Sequence, residues 1–175
     1  MEETLTFITL TLAATLRVAT PLMLCAMGGL FSEKSGIIDV GLEGKMLIAA
    51  FFAAAAASLT GSAWAGVVAA IVAAEVLALL HGFACITHRG NQVVSGIALN
   101  ILAAGLTVVL GIAWFKQGGQ TPALPDAVRL GPQLVALGEA LKAIPAVGPV
   151  LGLGLAGHNA LVYLALALVP GVWWL

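Results

Sequence analysis

Several runs of apolar residues in this chain are long enough to cross a lipid bilayer, and no other feature restricts its fold as much. A helix needs about 20 apolar residues to cross a hydrocarbon core of about 30 Å. Leu5 to Phe31 meets this requirement, interrupted by Arg17 and Pro21. Trp64 to Ile86 meets it with Glu75 inside, and Val93 to Phe115 with Asn100 inside. Met46 to Leu59 is apolar except for Ser58 but too short to cross alone, so part of Ile37–Lys45 is expected at membrane depth. Gly152 to Leu175 is apolar again, interrupted by Gly157-His158-Asn159. Backbone polar groups in lipid must be satisfied internally, which favours helices. The expected fold is all-α: a polytopic transmembrane helix bundle of about 4–5 spans, with a discontinuous or re-entrant segment near residues 32–46.

Composition closes off the alternatives. Hydrophobic residues make up 61% of the chain and charged residues only 9%, where a soluble domain carries about 25% charged residues. So few charges cannot build a water-facing shell, and disorder needs the opposite composition. The 21 glycines suit helices whose backbones approach closely. A net charge of −1 without a basic run excludes nucleic-acid binding. The acidic start Met1-Glu2-Glu3-Thr4, and an apolar core that runs past Met27, describe a retained span rather than a cleaved signal. Cys25 and Cys85 read as buried thiols, and Met23 and Met27 as core lining. No metal-ligand spacing and no nucleophile–base pair occurs.

Residues 1–175 read as a single transmembrane domain. Residues 116–149 are rich in proline and glycine and read as an extracytoplasmic loop. Within it, Leu134, Leu137, Leu141 and Ile144 recur at helical spacing, as in a short amphipathic helix on the membrane surface. The chain stops at Trp173-Trp174-Leu175 without a polar tail, which suggests a longer parent. Lys34, Lys45 and Arg89 flank the first and third connections, and Thr60–Ala63 carries no basic residue. By the positive-inside rule the first and third connections are cytoplasmic and the N-terminus lies outside. Lys116, Arg129 and Lys142 pull the other way, and a re-entrant break after Phe31 would change the parity.

The polar stretch from Ser32 to Lys45 is the most informative. Gly36, Gly41 and Gly44 punctuate it, and Asp39 and Glu43 stand at i, i+4. If residues 39–46 begin a helix, both carboxylates share a face at its N-terminal end, where the helix dipole favours negative charge. Two readings stand: a pathway element of a transporter, built on a discontinuous helix, or a cytoplasmic turn before a capped helix. Glu43-Gly44-Lys45-Met46 lacks the first glycine and the Ser/Thr of a phosphate-binding loop. The Gly152, Gly154, Gly157 pattern lacks the strand and acidic residue of a dinucleotide site. Arg17 and Glu75 are the deepest charges; two readings stand, an intramembrane ion pair between them or an Arg17 that snorkels to an interface. Gly96, Asn100, Ala104 and Thr107 share one face of their span, followed by Gly111. That face suits helix packing with an interhelical amide hydrogen bond, or places Asn100 on a translocation path. His81 and His88 are expected at the interface rather than in a proton relay.

Two blocks resemble a known family. The first is Thr20-Pro-Leu-Met-Leu-Cys-Ala-Met-Gly-Gly-Leu-Phe-Ser-Glu-Lys-Ser-Gly-Ile-Ile-Asp-Val-Gly-Leu-Glu-Gly44. The second is Asn91-Gln-Val-Val-Ser-Gly-Ile-Ala-Leu-Asn-Ile-Leu-Ala-Ala-Gly-Leu-Thr107, with Val94, Ser95, Gly96 and Asn100 in register. Together they are similar to permease subunits of ATP-binding-cassette importers, in the simple-sugar and nucleoside branch related to branched-chain amino-acid permeases. Members of that family more often carry Asn at the position of Asp39 and an apolar or amide residue at that of Lys45. They also continue beyond Trp174 with a basic ATPase-docking segment and further spans, so the resemblance implies a chain truncated at its C-terminus.

The resemblance implies a multi-pass protein of the bacterial inner membrane that forms a solute path and is neither an enzyme nor a cofactor carrier. The implied partners are a cytoplasmic ABC ATPase subunit, a second permease subunit, an extracytoplasmic substrate-binding protein and membrane lipid. Asp39, Glu43, Ser95 and Asn100 become candidate path residues, and Gly36, Gly41 and Gly44 candidate hinges. Two other classes remain in view: an ion-coupled secondary transporter using Glu75 or Asp39, and a membrane-structural or assembly protein.

Overall fold

A computed structural model describes residues 2–125, 128–129 and 158–174. The amphipathic helix expected around residues 134–144 falls wholly outside the described residues. The chain divides into two compact units, Met1–Met27 with Leu130–Leu175, and Gly28–Arg129.

Helix α1 runs over Glu2–Lys34 and contains Pro21. Its threonine hydroxyls turn back onto the helix: Thr11 donates to Phe7 O, Thr15 to Thr11 O and Thr20 to Leu16 O, at 2.7–2.8 Å. This satisfies hydroxyls that have no water to bond in lipid. The helix ends in a Schellman motif. Gly36, at φ 89°, sends its N–H to Glu33 O, and the Ile37 N–H reaches back to Ser32 O. The left-handed φ requires glycine there.

Helix α2, Leu42–Thr60, closes at Gly61, whose left-handed backbone (φ 68°) lets α3, Ala63–Gly82, return antiparallel after a two-residue turn. Small residues allow the two helices to close: a Cβ on Gly66 would stand 2.7 Å from Ala53 O. Helix α3 continues through a π-helical turn, Phe83–Thr87. The side chain of Asn91 accepts the Val94 N–H and caps α4, Gln92–Phe115. Helix α5, Ala160–Trp174, follows in the other unit, with Pro170 inside it.

Among the described residues, four helical segments are long and apolar enough to cross a membrane: Thr6–Lys34, Leu42–Thr60, Ala63–Thr87 and Gln92–Phe115. The all-α polytopic expectation holds. The span that looked too short at Met46 gains its missing turn from Leu42–Lys45, which is helical despite two charges. Helix α5, with 15 residues, is shorter than the others.

In the second unit, Ile48, Leu77, Leu99 and Ala103 form a core where α2, α3 and α4 meet, flanked by Phe52 and Ala73. Outward-facing residues such as Val72, Leu79, Ile101 and Val109 are exposed, as lipid-facing positions are. Gly44 meets Asn100 and Phe51 meets Trp114, so α2 and α4 run parallel with α3 antiparallel between their ends. The break before α2 and the connection from α3 to α4 therefore lie at one end of this unit. Lys34 and Arg89 sit at that same end.

Candidate functional site

Between α1 and α2 the chain runs without helix from Ser35 to Gly41. Non-helical backbone leaves N–H and C=O groups without intrahelical partners, and such backbone is tolerated at membrane depth only when protein satisfies them. Here α4 and α3 supply the partners. Gln92 Oε1 accepts the Ile38 N–H at 2.7 Å, and Gln92 Nε2 donates to Gly36 O at 3.4 Å. Asn100 Oδ1 accepts the Gly44 N–H at 2.7 Å, while its Nδ2 donates to Val40 O at 3.1 Å. Ser32 Oγ donates to Ile37 O at 2.7 Å. Two amide side chains two turns apart on α4 thus hold both ends of the break.

Glycine makes this approach geometrically possible. Gly96 lies between the two amides on the same face of α4. A Cβ there would come 2.8 Å from Gly41 N and 3.0 Å from the Val40 carbonyl carbon. On the other side, a Cβ on Gly44 would stand 2.9 Å from both Asn100 Cα and Leu99 O. Gly41 and Gly44 are accordingly close-approach residues packed on α4. Gly36, open on all sides and at φ 89°, is the turn that starts the break.

A charged cluster sits beneath the break. Lys45 Nζ donates to Asp39 Oδ2, and the two side chains are only 12% and 9% exposed. Asp39 Oδ1 accepts the Gly41 N–H at 3.0 Å and lies 3.9 Å from His81 Nε2. His81 is buried. Its Nε2 is 3.3 Å from Ile38 O and its Nδ1 3.1 Å from Ser95 Oγ. A carbonyl only accepts, so Nε2 carries the proton in the neutral ring and Nδ1 accepts from the serine hydroxyl. Break, α3 and α4 are joined through this one imidazole.

The structure brings Asp39, Ser95 and Asn100 together and separates Glu43 from them. Helix α2 begins at Leu42, after Asp39, so the two carboxylates do not share a helix face. Asp39 turns inward onto Lys45, and Glu43 is exposed in the first turn of α2. His81 is buried in the cluster, and its partners come from Ile38 and Ser95, which are distant in sequence. Gln92 is a site residue that sequence reasoning did not single out, and Lys45 was read there only as a basic flank and a departure from the family's usual residue. The signal for Gln92 was present in its i, i+4, i+8 spacing with Gly96 and Asn100. Arg17 and Glu75 belong to different units, and each is exposed. Among the described residues no group of three or more His, Cys, Asp or Glu is placed to hold a metal ion.

The break is thus seated on glycines and clamped by amides among apolar helices. Comparison with known proteins decides the family. The family model described as branched-chain amino acid transport system / permease component matches residues 11–175. The chain belongs to this permease family. It is similar to a protein named as a putative glucose ABC transporter permease of Haloferax volcanii, with 35% identity over 164 residues, 93% of this chain and 46% of that protein. It is also similar to a guanosine ABC transporter permease of Bacillus subtilis, 39% identical over 119 residues, 65% of this chain and 37% of that one. A nucleoside ABC transporter permease of Lactococcus lactis is 37% identical over 106 residues, 57% of this chain and 33% of its own. The chain therefore spans less than half the length of these relatives. No solved structure matches it. Family and helices together make it a multi-pass protein of the inner membrane.

Proposed function

We propose that the chain is a membrane-spanning permease subunit of an ABC importer for a simple sugar or nucleoside. The observation that carries this reading is the family match across residues 11–175, joined to relatives whose names all specify ABC permeases of those solutes. A cytoplasmic ATPase subunit, a second permease subunit and an extracytoplasmic substrate-binding protein complete the assembly, as the ABC class implies.

Within the permease the break forms part of the wall of the solute path. Glu43 faces that path, and Asp39, Ser95 and Asn100 shape it. Gly36 is the pivot. Gly41 and Gly44 hold the break against α4, which moves with it.

The test is uptake by proteoliposomes that hold the permease with its ATPase and second permease, supplied with loaded binding protein. Accumulation of a labelled nucleoside, pentose or hexose that requires ATP supports the reading. Uptake that persists without the ATPase and collapses with an ion gradient would instead identify a secondary transporter. No movement of any solute would leave a structural role.

A further inference from the structure

About two helical turns beyond the break, a second feature opens on the same helix faces. A cavity of about 380 Å³ is lined by Leu47 and Phe51 of α2, Thr107 of α4, and Gly119, Gln120 and Thr121 of the loop after α4. The loop folds back because Lys116 and Gly119 adopt left-handed backbone (φ 58° and 74°). The Gln117 N–H then bonds Gly111 O at 3.2 Å. Glycine at 111 admits it, since a Cβ there would stand 2.7 Å from Gln117 O. Glu43, Leu47 and Ala50 form an exposed stripe along α2, and Asn100 and Thr107 share a face of α4. The cavity is thus continuous with the faces that carry the break.

Its chemistry is specific. Among the described residues, those that line it are apolar or neutral polar. Phe51 offers an apolar ring held by Phe52, Trp114 and Phe115 at centroid distances of 5.6, 5.9 and 6.5 Å. The Thr107 hydroxyl proton is already given to Ala103 O and Ala104 O, which leaves its lone pairs to accept. The Gln120 and Thr121 side chains project from the loop and can both donate and accept. Aromatic face on one side and neutral hydrogen-bonding edge on the other match a ring with C–H faces and hydroxyl rims. The volume lies at the small end of ligand sites.

We propose that this cavity is a solute subsite for one uncharged polyhydroxylated ring, a monosaccharide or the ribose of a nucleoside, with Phe51, Thr107 and Gln120 as its contacts. The inference rests on the importer reading and places the solute on α2 and α4 beyond the break. The test is equilibrium binding to the permease complex in nanodiscs without binding protein, using labelled nucleoside, pentose and hexose, with ATP-driven uptake measured in parallel. One class should bind saturably, which separates nucleoside from free sugar. Gln120→Leu and Thr107→Val should each weaken that binding by about tenfold, the loss of one neutral hydrogen bond. In the wild type, the deoxy analogue should lose affinity to a similar degree. Gln120 is exposed on a loop, so its variant keeps the test informative if Thr107→Val folds poorly. No binding by the wild type, binding unchanged in both variants, or equal binding of an anionic solute overturns the subsite. If ATP-driven uptake persists in those cases, the importer reading stands without it. Absence of any ATP-driven uptake defeats that reading instead.

Discussion

Asp39 and Lys45 show how strongly a single pair can be bound to its surroundings. Both are nearly excluded from solvent, and each is the other's counter-charge. A buried pair gains little over a neutral replacement, whereas removing one partner strands the other. Asp39→Asn or Lys45→Met alone should therefore lower stability by about 3 kcal/mol. The double variant should recover most of that loss, read as thermal unfolding in detergent. The resemblance led us to expect a departure from the family's usual residues at both positions, and the structure pairs the two. Glycine sets a second residue-scale limit. Gly44→Ala must push a methyl into the α4 backbone, and a forced shift of this kind costs about 1–3 kcal/mol. The same change at Gly105, which has nothing within 4 Å, should leave the melting temperature nearly unchanged.

At the scale of elements, the break and α4 behave as one body. Backbone amides of Ile38, Gly41 and Gly44 all donate to side chains, so their hydrogen exchange should be slow for a non-helical stretch. Asn100→Leu removes both bonds to the second half of the break. Each polar group left unpaired costs about 1–3 kcal/mol. Exchange at Gly44 should rise at least tenfold while Ile38, held by Gln92, stays protected. Unchanged exchange at Gly44 would show that Asn100 does not hold the break. The apolar runs made the helices legible, because lipid leaves the backbone no alternative. Their ends were less legible. Glu43 and Lys45 lowered the hydropathy of a turn that is helical, and this hid the start of α2. The position of Asp39 outside that helix followed from the same misplacement. His81 could not be placed from periodicity, since its partners approach through tertiary structure. Gln92 was passed over because it marks the polar edge of a span, where side chains usually meet water.

For the whole molecule, the membrane fold and the family rest on independent grounds that agree. Spans and small-residue packing describe a membrane helix bundle, and the family match describes a permease component. The role of the break in moving solute is the claim that needs a direct measurement. Cysteine at position 43, introduced as Glu43→Cys after replacement of Cys25 and Cys85, can be titrated with a membrane-impermeant maleimide in the assembled transporter. The account predicts labelling from the aqueous phase that slows several-fold when the solute and ATP are supplied together. Labelling at one unchanging rate through turnover, or none at all, would contradict a break that lines the path.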